Sequence, residues 1–447
     1  MGEQTPANGS KPFFSPNRIC DYSWRAEESH YNAALPQYRT AITVPSSGET
    51  LRVHFVHKQC QLGELTPRTY VAPGDADRVV VPLLFCHDVH ASSFLDVSGV
   101  IDALTTMTGG GDGRDVAFHV VAPSVPGTGF SDASDEEGFG VGETAEVFDA
   151  LMKRLGYGRY VSFGAGWGFT VCRALALRHG PDSCVAIHAA NPASFFPPPS
   201  LRKSPLEWLR YRLARATGAR VPGLSFGYVP ADFDNDHDVF RPTTTNTTTG
   251  AGAGKTKVAD EETAAASDIV HLKNERSGRE EMGGETACGA AFRPQTLTYA
   301  LCDSPVGLLA NTLDVLRPCL TAGRRAGYMS AVWTPATLLN WTMMRWFPGP
   351  EAGFRWMQRA RRDSEMGGFL WSERSNVPLG ISQFGAQRGV GARWDGVLRW
   401  ARAWQNVCWA KKREGSDVIR PEWESPEELV QDLRESFGAV WLDGGES

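Results

Sequence analysis

The stretch that most constrains this 447-residue chain is Tyr160-Val161-Ser162-Phe163-Gly164-Ala165-Gly166-Trp167-Gly168-Phe169-Thr170. A short apolar run ends in a Gly-rich tight turn, and a helical pattern starts at once. That is the strand–turn–helix of a nucleophile elbow, in which one residue stands at the tip of a strained turn. The turn needs small residues on either side, and Gly164, Ala165 and Gly168 supply them. The tip position is Gly166, which has no side chain and can attack nothing.

An elbow of this kind sits in a parallel sheet, and the rest of the chain supplies the strands. Apolar runs at 79–85, 116–122, 160–163 and 184–189 suit strands buried on both faces. Residues 41–44 and 51–56 alternate around the Ser46-Ser47-Gly48 turn. The sheet is expected to resume at 377–384 and to close with 407–411. Helical patterns lie at 143–155 and 169–178, and Ser425 is a good N-cap for a last helix over 426–437. Alternating strand and helix predicts the α/β class, with a mostly parallel, doubly wound sheet.

After Pro197-Pro198-Pro199 the pattern turns helical, at 206–216, 297–303, 305–316, 329–344 and 354–361. The expected organisation is a core in two parts, 41–196 and 376–447, with a helical cap over 197–375 between them. Inside the cap, residues 241–284 are rich in Thr, Gly, Ala and charge without periodicity, and read as a disordered insertion. Residues 1–21 are polar, with Pro and Gly, and read as a disordered N-terminus.

Charge and cysteine usage narrow the function. A net charge of −6, a pI near 6.0 and no basic cluster argue against a nucleic-acid partner. Nine scattered cysteines without a CxxC pair read as reduced thiols in the cytoplasm, and offer no metal site. No apolar run is long enough for a transmembrane segment, and residues 1–20 have no apolar signal region. Gly252-Ala253-Gly254-Lys255-Thr256 resembles the end of a phosphate-binding loop, but Thr249 stands where the first Gly belongs and no strand precedes it. No cofactor is therefore expected; a homo-oligomer is possible.

Several longer segments, in order, carry a family resemblance. They include Ala122-Pro123-Ser124-Val125-Pro126-Gly127-Thr128-Gly129-Phe130-Ser131-Asp132, Thr144-Ala145-Glu146-Val147-Phe148-Asp149, Pro294-Gln295-Thr296-Leu297 and Asp303-Ser304-Pro305-Val306-Gly307-Leu308-Leu309-Ala310. From about Trp24 onward, broken near 240–285, the chain resembles epoxide hydrolases of the α/β-hydrolase fold, in the branch with an N-terminal meander related to the microsomal enzymes. Residues 22–40 match only the last part of that meander, which puts its covering of the cap in doubt.

The resemblance implies a nucleophilic Asp, a water-activating His, an acid that orients it, and two cap tyrosines. Carried onto this chain, these roles fall on Gly166, Ile419, Gln387, Thr286 and Met357, and all five are vacant. The last histidine in the chain is His271, so no realignment supplies a C-terminal one. Relatives carry His-Gly-Trp-Pro in the oxyanion loop, where this chain has His87-Asp88-Val89-His90. Asp88 and His90 are thus the candidate acid and base, since a neighbouring carboxylate tunes a histidine near neutrality. The competing reading is that Asp88 caps the following turn and His90 faces solvent. His87 is expected to be structural, with Val89, Trp167 and Trp356 lining the pocket.

Trp333, Trp341, Trp346, Phe354 and Trp371 crowd the cap, and with the lost polar groups they predict a roomy apolar cavity. The ligand implied is an apolar oxygenated small molecule of epoxide, polyketide or terpenoid type, in natural-product or detoxification chemistry, handled without the covalent mechanism. The alternative is an inactive protein that binds a small molecule or a partner protein.

Overall fold

A computed structural model describes residues 22–60, 78–90, 92–107, 115–192, 195–228, 230, 294–320, 332–364, 368–384, 394–413 and 418–443. The strands are β1 (Gln37–Thr43), β2 (Thr50–Lys58), β3 (Arg78–Cys86), β4 (Asp115–Pro123), β5 (Tyr160–Ala165), β6 (Cys184–Ala190), β7 (Ser375–Phe384) and β8 (Gln405–Arg413). They form one sheet in the order β1-β2-β4-β3-β5-β6-β7-β8. Only the β1/β2 and β2/β4 pairs are antiparallel. From β4 to β8 every pair is parallel. This is the α/β-hydrolase architecture, and each expected strand is present.

The helices are α1 (Trp24–Ala34), α2 (Ile101–Leu104), α3 (Val141–Arg154), α4 (Trp167–Arg178), α5 (Pro205–Ala216) and α6 (Pro294–Asp303). They continue as α7 (Pro305–Val315), α8 (Pro335–Trp346), α9 (Glu351–Ser364), α10 (Trp394–Trp404), α11 (Pro421–Glu424) and α12 (Pro426–Asp443). Helices α5 to α9 all lie between β6 and β7.

Strand alternation sorts the core into two layers. Leu83 and Phe85 of β3 join Val161 and Phe163 of β5 against Leu429, Leu433 and Phe437 of α12. Leu84 and Cys86 face the other way, with Phe148 and Leu151 of α3 and Phe169 and Leu175 of α4. Each such Leu or Phe taken from water contributes about 1.5–3 kcal/mol, so register is strongly specified at the strand ends that carry the site.

Three details differ from the sequence expectation. Helix α8 starts at Pro335, not near 329, because proline takes the first turn and the Thr334 hydroxyl accepts the Thr337 N–H at 3.1 Å. Helices α10 and α11 were not foreseen, and α12 runs on to Asp443. The short N-terminal arm does reach the helical segment. Asn340 of α8 donates to Glu27 (2.7 Å) and Tyr31 (3.2 Å), and Tyr22 donates to Asn340 (2.9 Å).

The insertion at 241–284, the pseudo-phosphate loop at 252–256, and the positions Thr286 and Gln387 lie outside the described residues. Among the described residues no helix is long and apolar enough to cross a membrane. No group of three or more His, Cys, Asp or Glu side chains there is placed to hold a metal ion.

Candidate active site

The turn from β5 into α4 has the strained geometry expected of its glycines. Gly166 takes φ 52° and ψ −130°, a left-handed conformation that favours glycine. A Cβ on Gly168 would collide with the Cys86 carbonyl, and one on Gly164 with the Gly168 backbone. These close approaches set the N-terminus of α4 against the ends of β3 and β5.

The space beyond Gly166 is filled from the neighbouring loop. A Cβ built on Gly166 would lie 2.7–2.9 Å from the Asp88 carboxyl carbon and both its oxygens. Asp88 therefore puts its carboxylate where a side chain at the elbow tip would begin. Asp88 Oδ1 accepts the Trp167 N–H at 3.0 Å and the His90 N–H at 3.2 Å. Asp88 Oδ2 pairs with Arg420 Nη2 at 2.7 Å.

The loop is held by His87. Its Nε2 accepts the Val125 N–H at 3.1 Å, which leaves Nδ1–H to donate to the Asp88 carbonyl at 2.8 Å. Burial lowers the His87 pKa, consistent with the expected structural part.

Arg420 is a site residue that sequence reasoning missed. It follows Ile419, to which the resemblance carries the family's histidine as an expectation. The segment is held from both sides: Asn191 donates to the Val418 and Ile419 carbonyls (3.2 and 3.1 Å), and Glu424 Oε2 accepts the Ile419 and Arg420 N–H groups (2.8 Å each). Arg420 also donates to the His90 carbonyl at 3.3 Å and lies over the Trp341 ring at 5.4 Å. Its pKa is raised by Asp88 first, then by Glu422 and Asp96, against the opposing effect of burial. The adjacency of an arginine to Ile419 was the only signal available.

Two further carboxylates lie deep beside this pair. Asp96 Oδ1 accepts the Trp423 indole N–H at 2.8 Å and a bond from the Ser92 hydroxyl. Glu422 is 1 % exposed and 3.9 Å from Arg420, and its oxygens have no hydrogen-bond partner. Burial lifts Glu422 to about 8 and Asp96 to about 6.

His90 corrects the expectation of a histidine tuned near neutrality. Burial lowers its pKa to about 4; Asp88 pulls upward, but Arg345, Arg420 and Arg361 add to the lowering. At neutral pH its ring is uncharged. The competing reading holds in part, since Asp88 does cap the turn through the His90 N–H, but His90 is not turned out to solvent.

The pocket residues divide. Val89 and Met357 line a cavity at the sheet edge together with Ser92, Met344, Arg345 and Phe354. Trp356 does not. It is buried in the main core, with its indole N–H donated to Thr144 Oγ1 at 2.8 Å. Trp167 contributes its backbone N–H, while its ring packs edge-on against Phe195 at 5.6 Å. The cavity holds about 20 Å³, room for about one water-sized group, so among the described residues this cavity is not the roomy apolar chamber expected from composition. Met344, Phe354 and Met357 supply much of its apolar lining.

A second buried polar chain is not a catalytic triad. His188 Nε2 meets Ser382 Oγ at 2.9 Å, and Ser382 donates to Asp432 at 2.7 Å. Serine is the middle member and gives its proton to the carboxylate, so His188 has no proton to take from it.

Residues 82–223 match the family model of the alpha/beta hydrolase fold, and residues 19–97 match that of the epoxide hydrolase N terminus. Epoxide hydrolase 1 of Oryctolagus cuniculus is 27 % identical over 294 residues, covering 66 % of this chain and 50 % of that protein. Juvenile hormone epoxide hydrolase of Bombyx mori is 25 % identical over 324 residues, covering 72 % and 55 %. The chain thus spans about half the length of these curated relatives. The crystal structure of the Bombyx mori juvenile hormone enzyme superposes with a TM-score of 0.59 at 22 % identity, covering 95 % of this chain and 83 % of that one; this likeness establishes the fold.

Proposed function

We propose that this chain, an epoxide-hydrolase-like protein of the α/β-hydrolase fold, binds an apolar oxygenated small molecule without two-step ester hydrolysis. The observation that carries this reading is the Asp88 carboxylate lodged against Gly166. Ester chemistry needs a carboxylate aimed at the substrate, a free N–H pair for the developing oxyanion, and a base for the second step. In this chain the Trp167 N–H is already engaged by Asp88, and Arg420 neutralises that carboxylate. His90, with a pKa of about 4, is a weak acceptor for a proton from water.

A second reading, acid–base catalysis by Asp88 and His90, is favoured by the same carboxylate's place at the elbow. It opens, cyclises or isomerises the ligand without a covalent intermediate and requires the Arg420 pair to part. Single turnover of styrene oxide in oxygen-18 water separates the cases. Binding without diol formation is the expected result. Turnover with label in a protein carboxylate overturns the proposal; turnover without protein label, abolished by Asp88→Asn, supports the second reading.

A further inference from the structure

The geometry points to Arg345 as an anion-recognition residue, and hence to a ligand that carries a carboxylate head on its apolar body. This rests on the reading of the site as a small-molecule pocket and adds the ligand's charge to it. Arg345, on α8, lines the same small cavity as Val89, Phe354 and Met357. Its guanidinium donates to Thr312 Oγ1 at 3.1 Å and to Asn311 Oδ1 at 2.9 Å, and lies 5.4 Å over the Phe354 ring. Thr312 and Asn311 are neutral, and among the described residues no carboxylate forms an ion pair with Arg345. Asp88, the residue before Val89 in the chain, is paired with Arg420 instead.

A cation largely withdrawn from water, without a counter-charge, is costly to keep. Burial lowers its pKa only to about 10, so it stays charged at neutral pH. Thr312 and Asn311 hold two of its nitrogens on one edge, and the planar fork is suited to a carboxylate. The volume of about 20 Å³ beside it has the size of one water-sized group, such as a single carboxylate oxygen, so the rest of a head group requires the flexible Met344 and Met357 side chains to give way. Met344, Phe354 and Met357 line the same space and suit the first methylenes behind such a head.

The test compares octanoate with 1-octanol on the full chain by calorimetry at pH 7.5. A charge-assisted hydrogen bond predicts that octanoate binds roughly 10- to 100-fold tighter. Arg345→Gln is expected to abolish that preference, bringing the octanoate-to-octanol ratio to about one, and Arg345→Lys to keep part of it. Equal affinities in the unaltered protein overturn the anion assignment and leave the apolar-pocket reading standing. If neither probe binds, both readings fall. The octanoate-to-octanol ratio in the unaltered protein decides the question even where Arg345→Gln does not fold.

Discussion

Arg420 Nη2 lies 2.7 Å from Asp88 Oδ2, so the residue after Ile419 neutralises the carboxylate lodged against Gly166. The two side chains are in contact and complement each other in charge. Gly166 leaves the space, Asp88 occupies it, and Arg420 supplies the counter-charge. Each can be removed separately.

Removing the cation leaves a buried carboxylate without its partner. Arg420→Met is expected to destabilise the fold by about 3–5 kcal/mol in chemical denaturation, the usual penalty for breaking a buried pair from one side. Asp88→Asn in the Arg420→Met background is expected to recover part of that loss. An additive double-variant cycle would show that the pair is not coupled.

The elbow tip gives a steric prediction. Gly166→Ala places a Cβ 2.7–2.9 Å from the Asp88 carboxylate and forces a positive φ on a residue with a side chain. The expected loss is about 1–3 kcal/mol. Asp88→Gly in the same chain relieves the overlap but not the backbone strain, so partial recovery is expected in thermal melts. Full tolerance of Gly166→Ala alone would mean that the loop carrying Asp88 moves freely away.

Glu422 makes stability depend on pH. Its pKa is about 8 in the folded chain against an ordinary 4.5, so folding favours its protonated form. The stability it contributes is full below about 4.5 and is lost as pH rises toward 8. Asp96, lifted to about 6, acts in the same direction over a lower window. His90 acts oppositely: with a folded value of about 4 against 6.5, its contribution is present above 6.5 and lost as pH falls toward 4. Between pH 6 and 8 the unaltered protein is expected to lose roughly 1–3 kcal/mol. Glu422→Gln removes most of that slope; an unchanged slope would assign it to other groups.

The strands and the elbow are legible in the sequence because their signals are local. Residues 83–86 and 160–163 are apolar runs ended by a turn, and Gly166 is placed by the glycines and the helix around it. Arg420 is not legible, because an arginine beside Ile419 has the local signature of a solvated side chain. Only the approach of 418–420 to the loop at 87–90, tied through Asn191 and Glu424, turns it into an ion-pair partner. Trp356 and Met357 show the same limit. Neighbours on a helix point about 100° apart, and the rotation of α9 about its axis comes from packing against Thr144 rather than from its own pattern. The charge of His90 depends on Arg345, Arg361 and Arg420, all distant in sequence.

The last prediction concerns the cradle that Asp88 fills. Two backbone N–H groups, from Trp167 and His90, converge with Arg420 on this one carboxylate. Such a set binds an anion whether or not the anion is tethered. Asp88→Gly removes the tethered carboxylate and leaves the donors, with Arg420 buried and without its nearest counter-charge. The variant is expected to be less stable than the unaltered chain and to be rescued by free formate. Formate reproduces the lost oxygens, and at 100 times its dissociation constant a ligand that binds only the folded state restores about 2.7 kcal/mol. The measurement is melting temperature against formate concentration, with sodium chloride matching the ionic strength. A rise confined to the variant shows that the N–H pair and Arg420 stay in place as an anion site. An equal response in both proteins would mean that the cradle collapses when Asp88 is gone, and that Asp88 holds the loop rather than merely filling it.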